Sequence, residues 1–112
     1  FMKTTTSHWM RLLAATALAS GMATIANAQD KATQLHNRTT AAMCANCHGT
    51  EGRTVKGSAV PSIAGLPRDY FAQQMLAFKN GQRPATIMHQ ISKGLTDPQI
   101  ESLAAYFSTL TR

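Results

Sequence analysis

Two cysteines and a histidine stand together near the middle of the chain, in the order Cys44-Ala45-Asn46-Cys47-His48. They are the only two cysteines in the 112 residues. Two thiols three residues apart can bond to the two vinyl groups on one edge of a haem, and the histidine that follows can reach its iron. The spacing therefore predicts one covalently attached haem c, bound through Cys44 and Cys47, with His48 as an iron ligand.

Three other uses of these cysteines compete with haem attachment. A disulfide between Cys44 and Cys47 would close a very small loop and constrain little of the chain. A thioredoxin-like redox pair needs a βαβ context, which the sequence pattern lacks. A structural zinc site needs about four ligands, and the remaining histidines are dispersed. The residues therefore favour haem over all three alternatives.

The second axial ligand of such a haem must come from elsewhere in the chain. The candidates are Met75, Met88, His89 and His36. Met75 shares a helical face with Phe71 and Phe78, where methionine usually fills gaps in a core. Met88 lies in a short segment that can turn its side chain over the haem, so we expect Met88 to be the ligand. We expect His36 and His89 to be surface residues.

The remaining ring nitrogen of His48 needs a hydrogen-bond partner, commonly a backbone carbonyl. Pro61 is the predicted provider, and the alternative is that it only stiffens a turn. The four aromatic residues of the later helices are expected to pack against the haem or between helices: Tyr70, Phe71, Tyr106 and Phe107. Four basic residues are expected to be ordinary solvated charges rather than a ring around the haem edge: Lys56, Lys79, Arg83 and Lys93.

The elements that must position these residues read as helices separated by one long loop. Asp30 is the expected cap of a helix that runs towards Cys44. Its expected face carries Leu35, Thr39, Ala42 and Met43. The segment from Gly49 to Leu66 is rich in glycine, which predicts an irregular loop. A loop of this length is uncommon in a small domain unless it encloses a bound group.

Three further helical segments follow this loop. Pro67 suits the first turn of a helix that Gly81 ends, with Phe71, Met75 and Phe78 on one face. Pro84 opens a short segment that Gly94 closes, with Ile87 and Ile91 on a shared face. Thr96 and Gln99 form a predicted capping box for the last helix. Its apolar stripe is Ile100, Leu103, Ala104 and Phe107. No alternating strand pattern occurs, so the predicted fold class is all-α.

The first 28 residues are predicted to be a signal peptide, followed by a single domain over 29–112. Lys3 and Arg11 precede a diluted apolar run, and Ala26-Asn27-Ala28 supplies small residues at a cleavage site. The run is shorter and weaker than the roughly 20 residues of a membrane span, although an uncleaved anchor is the alternative. We therefore expect export to the periplasm and no membrane span after cleavage. The remaining domain is small and buries only a modest hydrophobic core, so it needs further stabilisation. A covalently bound haem would provide it.

The balance of basic and acidic residues indicates which kind of partner the protein binds. Nine basic and five acidic residues follow Ala28. A mild excess of this kind steers encounters with acidic protein surfaces. The basic residues are dispersed and not interleaved with aromatic ones, so nucleic-acid binding is not expected.

Taken together, these segments resemble the class I cytochrome c family over the whole of 29–112. The motif CANCH, the glycine-rich loop with Pro61, Met88 and the closing stretch GLTDPQIESLAAYFSTL are similar to bacterial cytochromes of the c4/c5 type. The stretches PSIAGL and RPATIM, with Tyr70-Phe71 between them, resemble the cytochrome subunit of flavocytochrome c sulfide dehydrogenase.

The resemblance implies a small all-α fold around one haem, with His48 as proximal ligand and Met88 as axial ligand. It implies a non-catalytic electron carrier whose partner is a flavoprotein subunit that oxidises sulfide. Some subunits of that family carry two haem domains, whereas this chain has one motif. A free shuttle of the c4/c5 type is the alternative, and a haem enzyme or gas sensor with an open iron position is the third hypothesis.

Overall fold

The computed structural model describes residues 25–112. The chain divides into two compact units, residues 1–35 and 36–112. The described part of the first unit, residues 25–35, is helical, and Thr33 Oγ1 donates to the carbonyl of Gln29 at 3.0 Å. Residues 1–24 of the predicted signal peptide lie outside the described residues, so cleavage after Ala28 stays a prediction.

The predicted start and face of the first helix are wrong. Asp30 has helical residues on both sides and is not an N-cap. In the second unit, residues 36–42 are helical (α1), and the residue buried there is Ala41, at 5 % exposure. Ala42 and Met43 are exposed, as is Leu35 in the first unit. The run of small and polar residues here carries no clear apolar stripe, so tertiary packing selects the buried side.

Four more helices and one turn of 3₁₀-helix follow in the second unit. They are α2 (Ala45–His48), the 3₁₀ turn (Thr50–Gly52), α3 (Arg68–Lys79), α4 (Met88–Lys93) and α5 (Asp97–Ser108). Within residues 25–112 no strand is formed, and the predicted all-α class is confirmed. Helix α3 packs against both α4 and α5 and so forms the middle of the domain.

Helix α5 begins at its predicted cap. The amide of Gln99 donates to Thr96 Oγ1 at 3.3 Å, and Gln99 Oε1 accepts from the amide of Thr96 at 2.9 Å. This reciprocal pair satisfies two amides that the helix itself leaves unpaired. All four residues of the predicted stripe are buried, at 1 % exposure or less: Ile100, Leu103, Ala104 and Phe107.

Helix α3 supplies the other half of the core. Phe71 and Met75 are buried, Phe78 is half-buried, and Pro67 is the N-cap. The Phe71 ring stacks on Phe107 with 5.4 Å between centroids. Phe71 and Phe107 are thus contacts between helices, as one of the two predicted roles required. By contrast, Tyr70 is 48 % exposed.

The long loop is irregular beyond the 3₁₀ turn, and it lies directly on the end of α5. The amide of Gly65 donates to the carbonyl of Phe107 at 2.8 Å. At Gly52 (φ 77°), a Cβ atom would lie 2.9 Å from the Phe107 ring, closer than side chains tolerate. Arg53 Nε donates to the carbonyl of Thr111 at 2.9 Å and ties the loop to the C-terminal residues. Helix α5, whose buried stripe makes it the scaffold helix of the domain, therefore also fixes the path of this loop.

Candidate functional site: the cysteine–histidine turn

The two cysteines lie on a single turn of helix. Cys44 is the N-cap of α2, and its carbonyl accepts from the amide of His48 at 2.8 Å and from the amide of Cys47 at 3.3 Å. No disulfide joins the two cysteines, of which Cys44 is half-buried and Cys47 is exposed. The short helix thus presents two thiols and an imidazole from five consecutive residues.

The two thiols differ in their surroundings. Burial raises the pKa of the Cys44 thiol, and the nearby Cys47 raises it further. Removing a proton from Cys44 would place a charge in a poorly solvated position, so burial favours the neutral thiol over the thiolate.

His48 is buried and has one ring nitrogen engaged. Its Nδ1 lies 2.7 Å from the carbonyl oxygen of Pro61, and the side chain is 9 % exposed. A carbonyl only accepts hydrogen bonds, so Nδ1 carries a proton, and in the neutral ring the lone pair then lies on Nε2. This is the arrangement by which proteins orient a histidine whose other nitrogen binds a metal.

The carbonyl of Pro61 is held in place by the turn that follows it. The carbonyl of Gly52 accepts from Ser62 Oγ at 2.8 Å and from the amide of Ile63 at 2.8 Å. Gly49, directly after His48, has φ 78°, and a Cβ atom there would collide with the carbonyl of Arg53. A glycine is therefore required where the chain leaves the cysteine–histidine turn.

The two candidate methionines lie in different environments. Met75 is 6 % exposed and enclosed in the core between α3 and α5, so its thioether has little surface left for a ligand. Met88, the first residue of α4, packs against this core but is only half-buried. Of the two methionines, Met88 is therefore the more exposed residue.

The histidine predictions are confirmed for His36 and wrong for His89. His36 is exposed. His89 is half-buried, and its Nδ1 is buried without a hydrogen-bond partner. Helix α4 packs on α3, and this packing covers part of a residue that the sequence alone places on the surface. Because Nδ1 is already enclosed by protein, His89 could bind iron only through its other ring nitrogen, Nε2.

Two of the four basic residues are not simply solvated. Lys79 Nζ donates to the carbonyl of Leu95 at 2.8 Å and to Asp97 at 2.6 Å. The guanidinium of Arg83 lies 4.6 Å from the centroid of the Phe78 ring and also donates to Gln74. Lys56 and Lys93 are exposed, as predicted. Lys79 instead ties the end of α3 to the chain that follows α4.

Sequence reasoning missed Ser92 in α4. This serine is 0 % exposed, and its Oγ donates to the carbonyl of Met88 at 2.6 Å. The sequence does contain a signal for this contact. Ser92 follows Met88 by four positions, and in a helix residues with that spacing share a face, so a hydroxyl there can reach the earlier carbonyl.

The donor set fits a covalently bound haem better than the competing sites. The chain offers two cysteines one turn apart that no disulfide joins, an imidazole whose Nδ1 is hydrogen-bonded, and a half-buried methionine. Within residues 25–112, no group of three or more His, Cys, Asp or Glu side chains is arranged to bind a metal ion. Over the same residues, no helix combines the length and apolar character that crossing a membrane requires.

Comparisons with known proteins point the same way. Residues 30–107 match the family described as cytochrome c oxidase, cbb3-type, subunit III. The cytochrome subunit of sulfide dehydrogenase from Chlorobaculum tepidum is 41 % identical over 69 residues, which are 62 % of this chain and 61 % of that protein. The thiosulfate dehydrogenase electron acceptor of Thiomonas intermedia is 39 % identical over 70 residues, 62 % of this chain and 32 % of that one.

A solved structure also matches. The cytochrome c4 of Acidithiobacillus ferrooxidans superposes with a TM-score of 0.56 at 40 % identity, over 60 % of this chain and 38 % of that one. The chain spans less than two thirds of the length of each of these three proteins. The expected class I cytochrome c fold is confirmed.

Proposed function

This chain belongs to the cytochrome c family and carries covalently bound haem c, and on that premise we propose how its own residues bind the haem. Cys44 and Cys47 each add an S–H group across one vinyl group, so that sulfur bonds to one carbon and hydrogen to the other. Their placement one turn apart on α2 supports this assignment.

In this proposal, His48 and Met88 would hold the haem iron. The observation that carries this proposal is the hydrogen bond between His48 Nδ1 and the Pro61 carbonyl. It fixes the orientation of the ring, so that Nε2 is the nitrogen left to bind iron. Met88 supplies the second position, because Met75 is enclosed in the core. A thioether ligand favours the ferrous state and raises the reduction potential.

The chain is an electron-transfer protein rather than an enzyme. The haem iron supplies one-electron chemistry. If the His48 imidazole and the Met88 thioether both held the iron, they would leave it no open position for a substrate. Carbon monoxide tests this point, because rapid binding to the reduced protein would favour an oxygen-binding haem enzyme or a gas sensor.

Redox partner proteins are the partners that the comparisons support, and we propose a flavoprotein dehydrogenase that oxidises sulfide as the electron donor. Two relatives are named for dehydrogenases of reduced sulfur compounds. The segments around Pro61 and Met88 also resemble the cytochrome subunit of flavocytochrome c. We place the protein in the periplasm after removal of residues 1–28, where haem c is attached and such donors work.

A free shuttle is the second candidate, favoured by the similarity to a cytochrome c4. The subunit and the free shuttle differ in whether the protein forms a stable complex with a flavin-containing chain. A subunit co-purifies with a flavin-containing chain from the native source, and adding sulfide to that complex reduces the haem. A protein that runs alone at native size, and that sulfide reduces only through added mediators, would support the shuttle instead.

The haem assignment itself is tested in a host competent to attach haem. We expect the mass of the mature protein to exceed that of the polypeptide by one haem, and this mass also reports cleavage after Ala28. Cys44→Ala and Cys47→Ala should each leave a single thioether bond, and the double variant should lose the covalent haem. A wild-type mass without the haem increment would refute the assignment.

A further inference from the structure

The geometry points to Ser92 as a positioning residue for Met88, an inference that rests on the proposed role of Met88 as an iron ligand. Ser92 Oγ donates to the carbonyl of Met88 at 2.6 Å and approaches the carbonyl of His89 at 3.4 Å. The side chain is fully buried, at 0 % exposure.

Helix α4 depends on such a contact because its local sequence stabilises it poorly. It has six residues, and its N-cap, Ile87, makes no side-chain capping bond. Isolated helices of this length are not stable in water, since the cost of forming the first turn is not recovered. Met88 is the first residue of this uncapped turn, so its backbone is the part of the helix most prone to fraying.

A serine that bonds back to a carbonyl one turn earlier is common in helices and by itself means little. Two observations distinguish Ser92 from that ordinary case. The hydroxyl is fully buried, so water cannot replace it once it is removed. Its acceptor is the carbonyl of Met88 itself, so the bond restrains the residue that carries the thioether. The expected consequence of losing it is a weaker hold of Met88 on the iron.

The test uses the haem-loaded protein and external imidazole, which competes with Met88 for ferric iron. Losing one neutral hydrogen bond corresponds to about a fivefold change in an equilibrium constant. We therefore expect Ser92→Ala to bind imidazole about fivefold more tightly and to lose the sulfur-to-iron absorption band at a lower temperature.

Ser108→Ala is the matched control. Ser108 Oγ donates to the carbonyl of Ala105 at 2.8 Å in α5, so this variant removes the same kind of bond away from Met88. Its imidazole affinity should stay within about twofold of the wild type, because it loses nothing at α4. Equal shifts in the two variants would overturn the inference.

Two further variants keep the result unambiguous. Ser92→Thr retains the hydroxyl, so its imidazole affinity should stay near that of the wild type, and a threonine variant as altered as the alanine one would count against the hydroxyl. Met88→Ala checks the premise: if it keeps the sulfur-to-iron band, the ligand assignment fails. If it loses the band while Ser92→Ala leaves imidazole affinity unchanged, only the positioning role fails.

Discussion

Helices α4 and α5 are neighbours in sequence but are stabilised in different ways. Helix α5 has twelve residues, a complete capping box and an apolar stripe that is buried at all four positions. Helix α4 has six residues and no side-chain cap, and it is held by Ser92 from within and by Lys79 just beyond its end. The scaffold helix α5 combines a complete cap with burial along its length, whereas the helix that carries the proposed ligand has no side-chain cap and depends on a few contacts.

This difference suits the tasks of the two helices. A packed core needs a partner of fixed geometry, and Phe107 serves both Phe71 and the loop at Gly52. An axial thioether must stay on the iron through changes of oxidation state, and its strength of binding tunes the reduction potential. The hydrogen bond that holds Met88 lies within α4, apart from the Phe71–Phe107 stack of the core.

Truncating the centre of α5 should give the largest effect. Phe107→Ala removes a ring at 0 % exposure that stacks on Phe71, and we expect a loss of about 4 kcal/mol in the free energy of unfolding. Denaturant unfolding of the haem-loaded protein measures it. Tyr70→Ala, at a ring that is 48 % exposed, should cost far less. Similar losses in both variants would contradict the assignment of α5 as the scaffold.

Exchanging the two methionines for alanine separates packing from ligation. Met75→Ala should lower the free energy of unfolding by about 3 kcal/mol because it opens a cavity in the core, yet keep the sulfur-to-iron band. Met88→Ala should abolish the band and lower the reduction potential. Optical spectra, redox titration and denaturant unfolding of both variants decide between these roles. The reverse pattern would assign the ligand to Met75.

Breaking the contact between Lys79 and the carbonyl of Leu95, just beyond the end of α4, should have an intermediate effect on the free energy of unfolding. Lys79→Met removes a charge-assisted bond to the carbonyl of Leu95, and we expect a loss of about 2 kcal/mol in the free energy of unfolding. Asp97→Asn keeps that bond and weakens only an ion pair whose carboxylate is 69 % exposed, so about 0.5 kcal/mol is expected. Thermal unfolding of both variants compares them. An equal loss would mean that the ion pair, and not the carbonyl contact, stabilises this end of α4.

Removing the cap of α5 should give the smallest effect of the series. Thr96→Ala breaks the capping box and should cost about 1 kcal/mol in the free energy of unfolding. Because the helix is held along its length by the core, the sulfur-to-iron band should not change. Thr109→Ala, at the other end of α5, removes an exposed bond to the carbonyl of Tyr106 and serves as control. A loss of the band in Thr96→Ala would show that α4 and α5 are coupled more tightly than their contacts indicate.

Much of this architecture follows from local signals that the sequence contains. Helix α5 is predicted from its first residue to its buried stripe because capping and helical periodicity act within one segment. The start of α3 and its buried Phe71 and Met75 follow from Pro67 and the same periodicity. The spacing of Cys44, Cys47 and His48 likewise predicts the haem-binding site, since a single helical turn places the three residues together.

Other features depend on contacts between residues far apart in the chain, and only the tertiary structure decides them. The sequence names Pro61 as a candidate partner of His48, but the two lie 13 residues apart, and the turn anchored at Gly52 is what brings the Pro61 carbonyl to the ring. The burial of Ala41 rather than its neighbours, and the partly enclosed ring of His89, depend on which faces pack against the core. Local propensity describes the free energy of one segment, whereas these positions are set by the surfaces against which that segment packs.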